Sequence, residues 1–191
     1  MKKSIEHIKH IRNNSKDCSF YICNIFRIEN GKIEFNDIFK FDLLNEKYFN
    51  TEKKLKEMGE SWKSFIQNER KETEPKSEII ESYGPIIKSK INSNDFEKLN
   101  YEEYELKMKS IFQSWRKSGD GFEDELEKFH VKSINDLQNF NLEKRDYYFL
   151  NYMLIHDNKK HELNFIYSYF FKVIGIDYES NTFIKLNYGN E

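Results

Sequence analysis

Two polar residues, Asn24 and Asp37, fall among aromatic and aliphatic residues that we predict to form one buried face of a β-hairpin. A buried polar pair costs about 2–3 kcal/mol or more unless its hydrogen bonds are satisfied. Three interpretations are open. The pair fixes the strand register, lies at the rim of a partly covered face, or lines a pocket and contacts a ligand or partner. Asn24 and Asp37 are therefore the candidate binding residues.

The histidines are the residues most suited to holding a metal ion. His156 and His161 flank a predicted turn, and His7 and His10 lie three apart, close enough to share a metal. Neither spacing matches a helical zinc motif, and the chain has no Cys-x-x-Cys. We therefore expect surface histidines and neither a metal ion nor another cofactor.

Carboxylates cluster in residues 120–127 but lack the alternating ligands and central glycine of a calcium loop. Acidic residues at the start of a helix also stabilise its positive end. Asp37 with Lys40, and Asp177 with Glu179 and Lys185, do not have the Glu-x-Lys spacing of a nuclease. Phosphate-binding glycine loops and nucleophile motifs are absent from the sequence. We therefore predict no catalytic residue.

The element expected to position the candidate pair is a hairpin over residues 18–44. Asn30-Gly31 between two alternating apolar segments is the strongest short-range hairpin signal, because a type I′ turn needs positive φ at both positions. A two-residue turn there places Asn24 directly opposite Asp37.

The remaining pattern predicts an α+β fold. Isoleucines spaced by three indicate a short helix within residues 1–15, and residues 51–157 form a helical region. Residues 163–188 give C-terminal strands reversing at a three-residue loop, although 163–173 also fit a helix. We predict one domain, 1–191, in which N- and C-terminal hairpins form an antiparallel sheet with a mostly helical middle packed on it.

Composition and charge limit the function classes. The 33 acidic and 31 basic residues nearly cancel, which argues against a generic nucleic-acid binder. The absence of alanine indicates an AT-rich genome, which also accounts for the 16% aromatic content. We find no apolar signal-peptide core or membrane-spanning run. Cys18 and Cys23 cannot bridge along one strand, so we expect a reduced, cytoplasmic protein.

These observations predict a small protein-binding module from a bacterium or phage. We expect an inhibitor or immunity/anti-defence-type protein that neutralises a specific protein partner by surface complementarity. Two alternatives stay open. One is a hydrolase of nucleic acid or nucleotides with a dispersed active site, and the other is a structural subunit of a larger complex. We expect no membrane or nucleic-acid partner, and the oligomeric state is left open.

Overall fold

An antiparallel sheet of six strands organises the computed structural model, which describes residues 2–16, 18–44, 82–83, 86–87, 91–119, 121, 123–151 and 169–190. In chain order the strands are β1 Ser4–Asn14, β2 Ser19–Glu29, β3 Ser82–Tyr83, β4 Ile86–Ile87, β5 Glu97–Leu99, β6 Asp146–Asn151, β7 Tyr169–Asp177 and β8 Thr182–Asn190. The sheet order is β1-β2-β8-β7-β6-β5, and β3 pairs with β4 separately. The two terminal hairpins, β1-β2 and β7-β8, therefore lie side by side.

Three α-helices are described: α1 Asp37–Lys40, α2 Tyr101–Ser118 and α3 Glu123–Leu137. Asn100 and Glu103 form a reciprocal capping box at the start of α2, where each side chain accepts from the other backbone N–H at 2.8–2.9 Å. Gly119 ends α2 in the left-handed conformation with φ 78°. None of the described helices is long and apolar enough to cross a membrane.

Both faces of the sheet are buried. Helices α2 and α3 cover one face, which we call the helix-covered face, and pack Met108, Phe112 and Leu126 against it. The segment around α1 packs Ile38 and Leu43 on the opposite face, which we call the α1 face. Every residue of β7 and β8 is buried, as expected for central strands between two layers. The predicted α+β class is confirmed.

The predicted hairpin over residues 18–44 is wrong, because β2 pairs with β1 and β8 instead. Asn30 adopts the expected left-handed conformation with φ 59°, but Gly31 does not have positive φ, so a type I′ turn cannot form. The chain then leaves the sheet, and Ile33 N donates to Asn181 Oδ1 at 3.1 Å. Long-range pairing with the C-terminal hairpin replaces the local turn.

The short helix predicted within residues 1–15 is also wrong, because residues 4–14 form the edge strand β1. A β-bulge between His7 and Lys9 interrupts the register of β1 with β2. It places Ile5 against the core of the α1 face and Ile11 against the core of the helix-covered face. The isoleucine spacing that resembles a helix therefore comes from a bulged strand with an apolar residue on each face.

The helical region predicted over residues 51–157 is only partly correct. It contains α2 and α3, but residues 146–151 form β6, and the short strands β3 and β4 lie where helical turns were predicted. A continuous apolar run such as Tyr147–Leu150 fits a buried strand as well as a buried helix. Residues 51–81 lie outside the part of the chain that the structure describes.

The C-terminal hairpin is confirmed, but its predicted register is wrong by one residue. Asp177 pairs with Thr182 and Ile176 with Phe183, which leaves four residues in the turn instead of the predicted three. Asp177 fixes this longer turn because its carboxylate accepts hydrogen bonds from the backbone N–H groups of residues 179 and 180. Asn181, the last residue of this turn, has a left-handed conformation with φ 53°.

Candidate functional site

The middle of β1 and β2 carries a polar cluster formed by His7, His10 and Asn24, which we call the histidine–asparagine cluster. His10 lies directly opposite Asn24 in the strand register. Asn24 Oδ1 is 2.8 Å from His10 Nδ1 and 3.2 Å from His7 Nε2. Because an amide oxygen can only accept hydrogen bonds, both ring nitrogens donate to it. The two imidazoles therefore attach β1 to a fully buried side chain of β2.

The bulge in β1 makes this cluster possible. In a regular strand, residues three apart point to opposite faces, so His7 and His10 would be separated by the sheet. The extra residue, Ile8, has no partner in β2 and restores His10 to the face occupied by His7. The sequence spacing gives no signal for this arrangement, because nothing in it marks the bulge.

Lys185 of β8 extends the polar row across a third strand, directly opposite Asn24. Its side chain is buried, and Nζ donates to the backbone oxygen of Leu44 at 3.3 Å. Burial lowers the pKa of His7 below its ordinary 6.5 and outweighs the hydrogen bond to Asn24, which raises it, while the nearby charge of Lys185 lowers it further. The site therefore favours a neutral imidazole at His7.

Asp37 lies at the start of α1, where it binds a different part of the N-terminal strand region. Lys3 Nζ is 3.0 Å from Asp37 Oδ2, and the Glu34 N–H donates to the same oxygen at 2.9 Å. The hydrogen bond to Asp37 raises the pKa of Lys3. A Cβ on Gly31 would lie 2.9 Å from Lys3 Cγ, so the absence of a side chain there leaves room for the lysine.

The two predicted site residues therefore do not face each other. Asn24 is in β2 and Asp37 is in α1, and the predicted direct pairing between them is wrong. Their exposed fractions are 0% and 2%, so neither side chain reaches the surface. Each instead binds the region of β1, Asn24 through the two histidines and Asp37 through Lys3. Whether they serve partner binding stays a prediction.

A second buried polar chain connects α2, α3 and β8, and sequence reasoning missed it. His130 Nδ1 is 3.3 Å from the Tyr104 hydroxyl, and His130 Nε2 is 2.9 Å from Glu105 Oε1 without the angle of a hydrogen bond. The Tyr188 hydroxyl is 3.4 Å from that of Tyr104 and 2.7 Å from Ser133 Oγ. The only sequence signal is a set of polar residues on the apolar faces of predicted helices.

A carboxylate, an imidazole and a hydroxyl that are linked by hydrogen bonds can activate the hydroxyl as a nucleophile. Here, however, Ser133 Oγ donates to the backbone oxygen of His130 at 2.7 Å and contacts a tyrosine, with no contact to the imidazole ring. Burial raises the pKa of Tyr104 and Tyr188 well above 10, so both remain protonated. The adjoining cavity of about 10 Å³ holds about one water molecule. These side-chain contacts link the helices α2 and α3 to the sheet.

Among the described residues, no group of three or more histidine, cysteine or carboxylate side chains could hold a metal ion. Glu123, Asp124 and Glu125 lie in the first turn of α3, as expected for acidic residues that favour a helix N-terminus. His156 and His161 lie outside the described residues.

No protein-family model matches the chain, and no curated protein or solved structure shows significant similarity to it.

Proposed function

We propose that this protein is a protein-binding module, an inhibitor or immunity/anti-defence-type protein that neutralises a specific protein partner by surface complementarity. The surface that we assign to the partner is the outer edge of β1. One observation carries the proposal: β1 is 11 residues long, lies at the end of the sheet and pairs with β2 alone among the described strands.

A long edge strand is a ready binding surface. Its outward N–H and C=O groups can pair with another chain, and proteins usually keep such edges short or cover them. At ~3.3 Å per residue, β1 presents about 35 Å of edge, enough for a partner strand of typical length to bind by main-chain hydrogen bonds. The bulge residue Ile8 is 36% exposed and adds an apolar side chain to this edge.

The inner side of β1 is held firmly, which supports the same function. Lys3 binds Asp37 near one end of the strand, and the histidine–asparagine cluster binds its middle. A strand held in its binding conformation loses less conformational entropy when a partner docks. We therefore assign Asn24 and Asp37 as positioning residues for the edge, and not as residues that touch the partner.

The test is site-specific capture in cells of the source organism. A photo-crosslinking amino acid at Asn13 or Asn14, at the end of β1, should trap one protein in a one-to-one complex. The same amino acid at Leu106, which is 65% exposed on α2, is the control and should trap none.

Equal capture from β1 and from Leu106 would contradict the proposal. Hydrolysis of a nucleic acid or nucleotide by the protein would also contradict it, if a single substitution of Asp37, His156 or His161 abolishes this activity and leaves the unfolding free energy unchanged. That second result would support the hydrolase alternative.

A further inference from the structure

We propose that the segment docking on β1 is an extended acidic strand whose carboxylates, three residues apart, pair with Lys9 and Arg12. This inference rests on the proposed role of the β1 edge and adds the chemistry of the partner.

The exposed charges along β1 are predominantly basic. Lys9 and Arg12 are exposed, and no carboxylate of the described residues lies within ion-pair distance of either. The one acidic residue of the strand, Glu6, pairs with Arg27 of β2 at 3.2 Å. The flanking residues Lys2 and Lys16 are also basic and exposed. On a chain with a formal net charge of −2, this edge is a local positive region that attracts an acidic segment.

The register defines where those acidic residues must lie. Lys9 is opposite Ile25, whose side chain packs on the helix-covered face, and Arg12 is opposite Ile22 on the α1 face. A strand added to β1 has its side chains on alternating faces. The two residues opposite Lys9 and Arg12 are three apart on that strand and therefore also lie on opposite faces. A Glu-x-x-Glu or Asp-x-x-Asp spacing in an extended segment satisfies both cations.

This arrangement favours a peptide over a nucleic acid. A phosphate backbone is bound by a continuous basic stripe on one surface. Here the two cations lie on opposite faces of one strand, with the hydrogen-bonding edge of the backbone between them. A peptide strand can use both charges and the edge together.

Charged residues on an edge strand also serve to prevent unwanted association. The experiment must therefore distinguish attraction of an acidic strand from simple protection of the edge.

The experiment is selection of peptides from a displayed library of random 12-residue sequences against the full-length immobilised protein. We expect enriched peptides to contain acidic residues three apart and no proline between them. For a synthesised peptide from this set, Lys9→Glu/Arg12→Glu should weaken binding at least tenfold, measured by fluorescence anisotropy. Lys109→Glu/Lys128→Glu reverses two exposed charges on α2 and α3 and is the matched control, with binding within twofold of wild type.

The failures are distinguishable. Enriched peptides that lack acidic pairs, and that bind the Lys9→Glu/Arg12→Glu protein normally, overturn the acidic-strand inference but leave β1 as a docking edge. If no peptide is enriched, or if binding is unchanged in both Asn13→Pro and Asn14→Pro, the docking edge itself is wrong. A 20-nucleotide single-stranded DNA could also displace the peptide from the wild-type protein. If it does so, and if the Lys9→Glu/Arg12→Glu protein does not bind this DNA, the edge is a nucleic-acid site and the inference is overturned.

Discussion

His10 and Asn24 lie directly opposite each other in β1 and β2, and His10 Nδ1 is 2.8 Å from Asn24 Oδ1. The same oxygen accepts from His7, so one buried amide fixes two points of the edge strand. Both contacts depend on the bulge at Ile8, which brings the two histidines to one face. The position of β1 is therefore set by side chains as well as by the backbone ladder.

Removing the shared acceptor should destabilise the protein. Asn24→Ala leaves two imidazole N–H groups without their acceptor beside a fully buried position, and we expect the unfolding free energy to fall by about 1–3 kcal/mol. Urea denaturation measures this loss. Asn14→Ala, at an exposed position of β1, is the control and should change it by less than about 0.5 kcal/mol. Equal effects of the two substitutions would show that the cluster does not hold β1.

Because of the bulge, deleting Ile8 should destabilise the protein less than deleting Glu6. Deleting Ile8 removes only the residue that has no partner in β2, so the pairs on both sides are kept. Deleting Glu6 shifts Ile5 from opposite Ile28 to opposite Arg27, which turns its side chain away from the core of the α1 face. Denaturation should show the Glu6 deletion to be less stable than the Ile8 deletion by about 1–2 kcal/mol, a fraction of the value of a buried isoleucine. The reverse order would contradict the register.

The unfolding free energy should decrease as the pH decreases, because His7 takes up a proton. Because the pKa of His7 in the folded protein is below 6.5, the unfolded chain takes up this proton first as the pH falls. The stability present above about pH 6.5 is therefore lost progressively until the folded His7 is also protonated. His7→Gln removes this contribution, so the stability of wild type relative to the variant should decrease as the pH falls through and below about 6.5. A difference that does not change with pH would contradict the burial of a neutral His7.

The sequence allows the fold class to be predicted, and it singles out one polar residue of the buried sheet. Turn residues and β-branched segments indicate the antiparallel sheet. Asn24 stands out because it is polar within an apolar strand, and the structure places it in a polar cluster. The hairpin register that points to Asp37 does not form, although Asp37 is a buried residue with a charged partner.

Local pattern could not reveal the rest, for physical reasons. Strand β2 pairs with β8, more than 150 residues away, and the turn at Asn30-Gly31 does not determine its partner. The histidine contacts depend on a bulge that leaves no mark in hydrophobic periodicity. The chain from His130 to Tyr188 joins residues of three elements that meet only in the folded core. Local sequence patterns do not predict strand pairing or side-chain clusters that depend on long-range contacts.

A side chain at Gly175 in β7 should destabilise the protein, for steric reasons. A Cβ there would lie 3.2 Å from Tyr147 Cε1 and 3.3 Å from Arg145 Cδ. Arg145 would have to move, although its guanidinium donates to the backbone oxygens of Gly175 and Thr182 at 3.2 and 3.1 Å. We expect Gly175→Ala to lower the unfolding free energy by about 1–3 kcal/mol, as for other overpacked sites.

Gly119→Ala is the comparison for Gly175→Ala, because Gly119 has open space around it and positive φ. Its cost should come from backbone strain alone, about 1 kcal/mol. A Gly175→Ala protein more stable than Gly119→Ala would contradict the close packing around Arg145.

The most direct test of the central claim is amide hydrogen exchange on β1, measured for the protein alone and with the tightest-binding peptide from the display selection. The docking account predicts that alternate amides of residues 9–14, whose N–H groups point away from β2, become protected, since antiparallel strands alternate inward and outward groups. Amides of α2 and α3 should be unchanged. Protection confined to the helices, with β1 exchanging as in the free protein, would contradict the assignment of this edge as the binding surface.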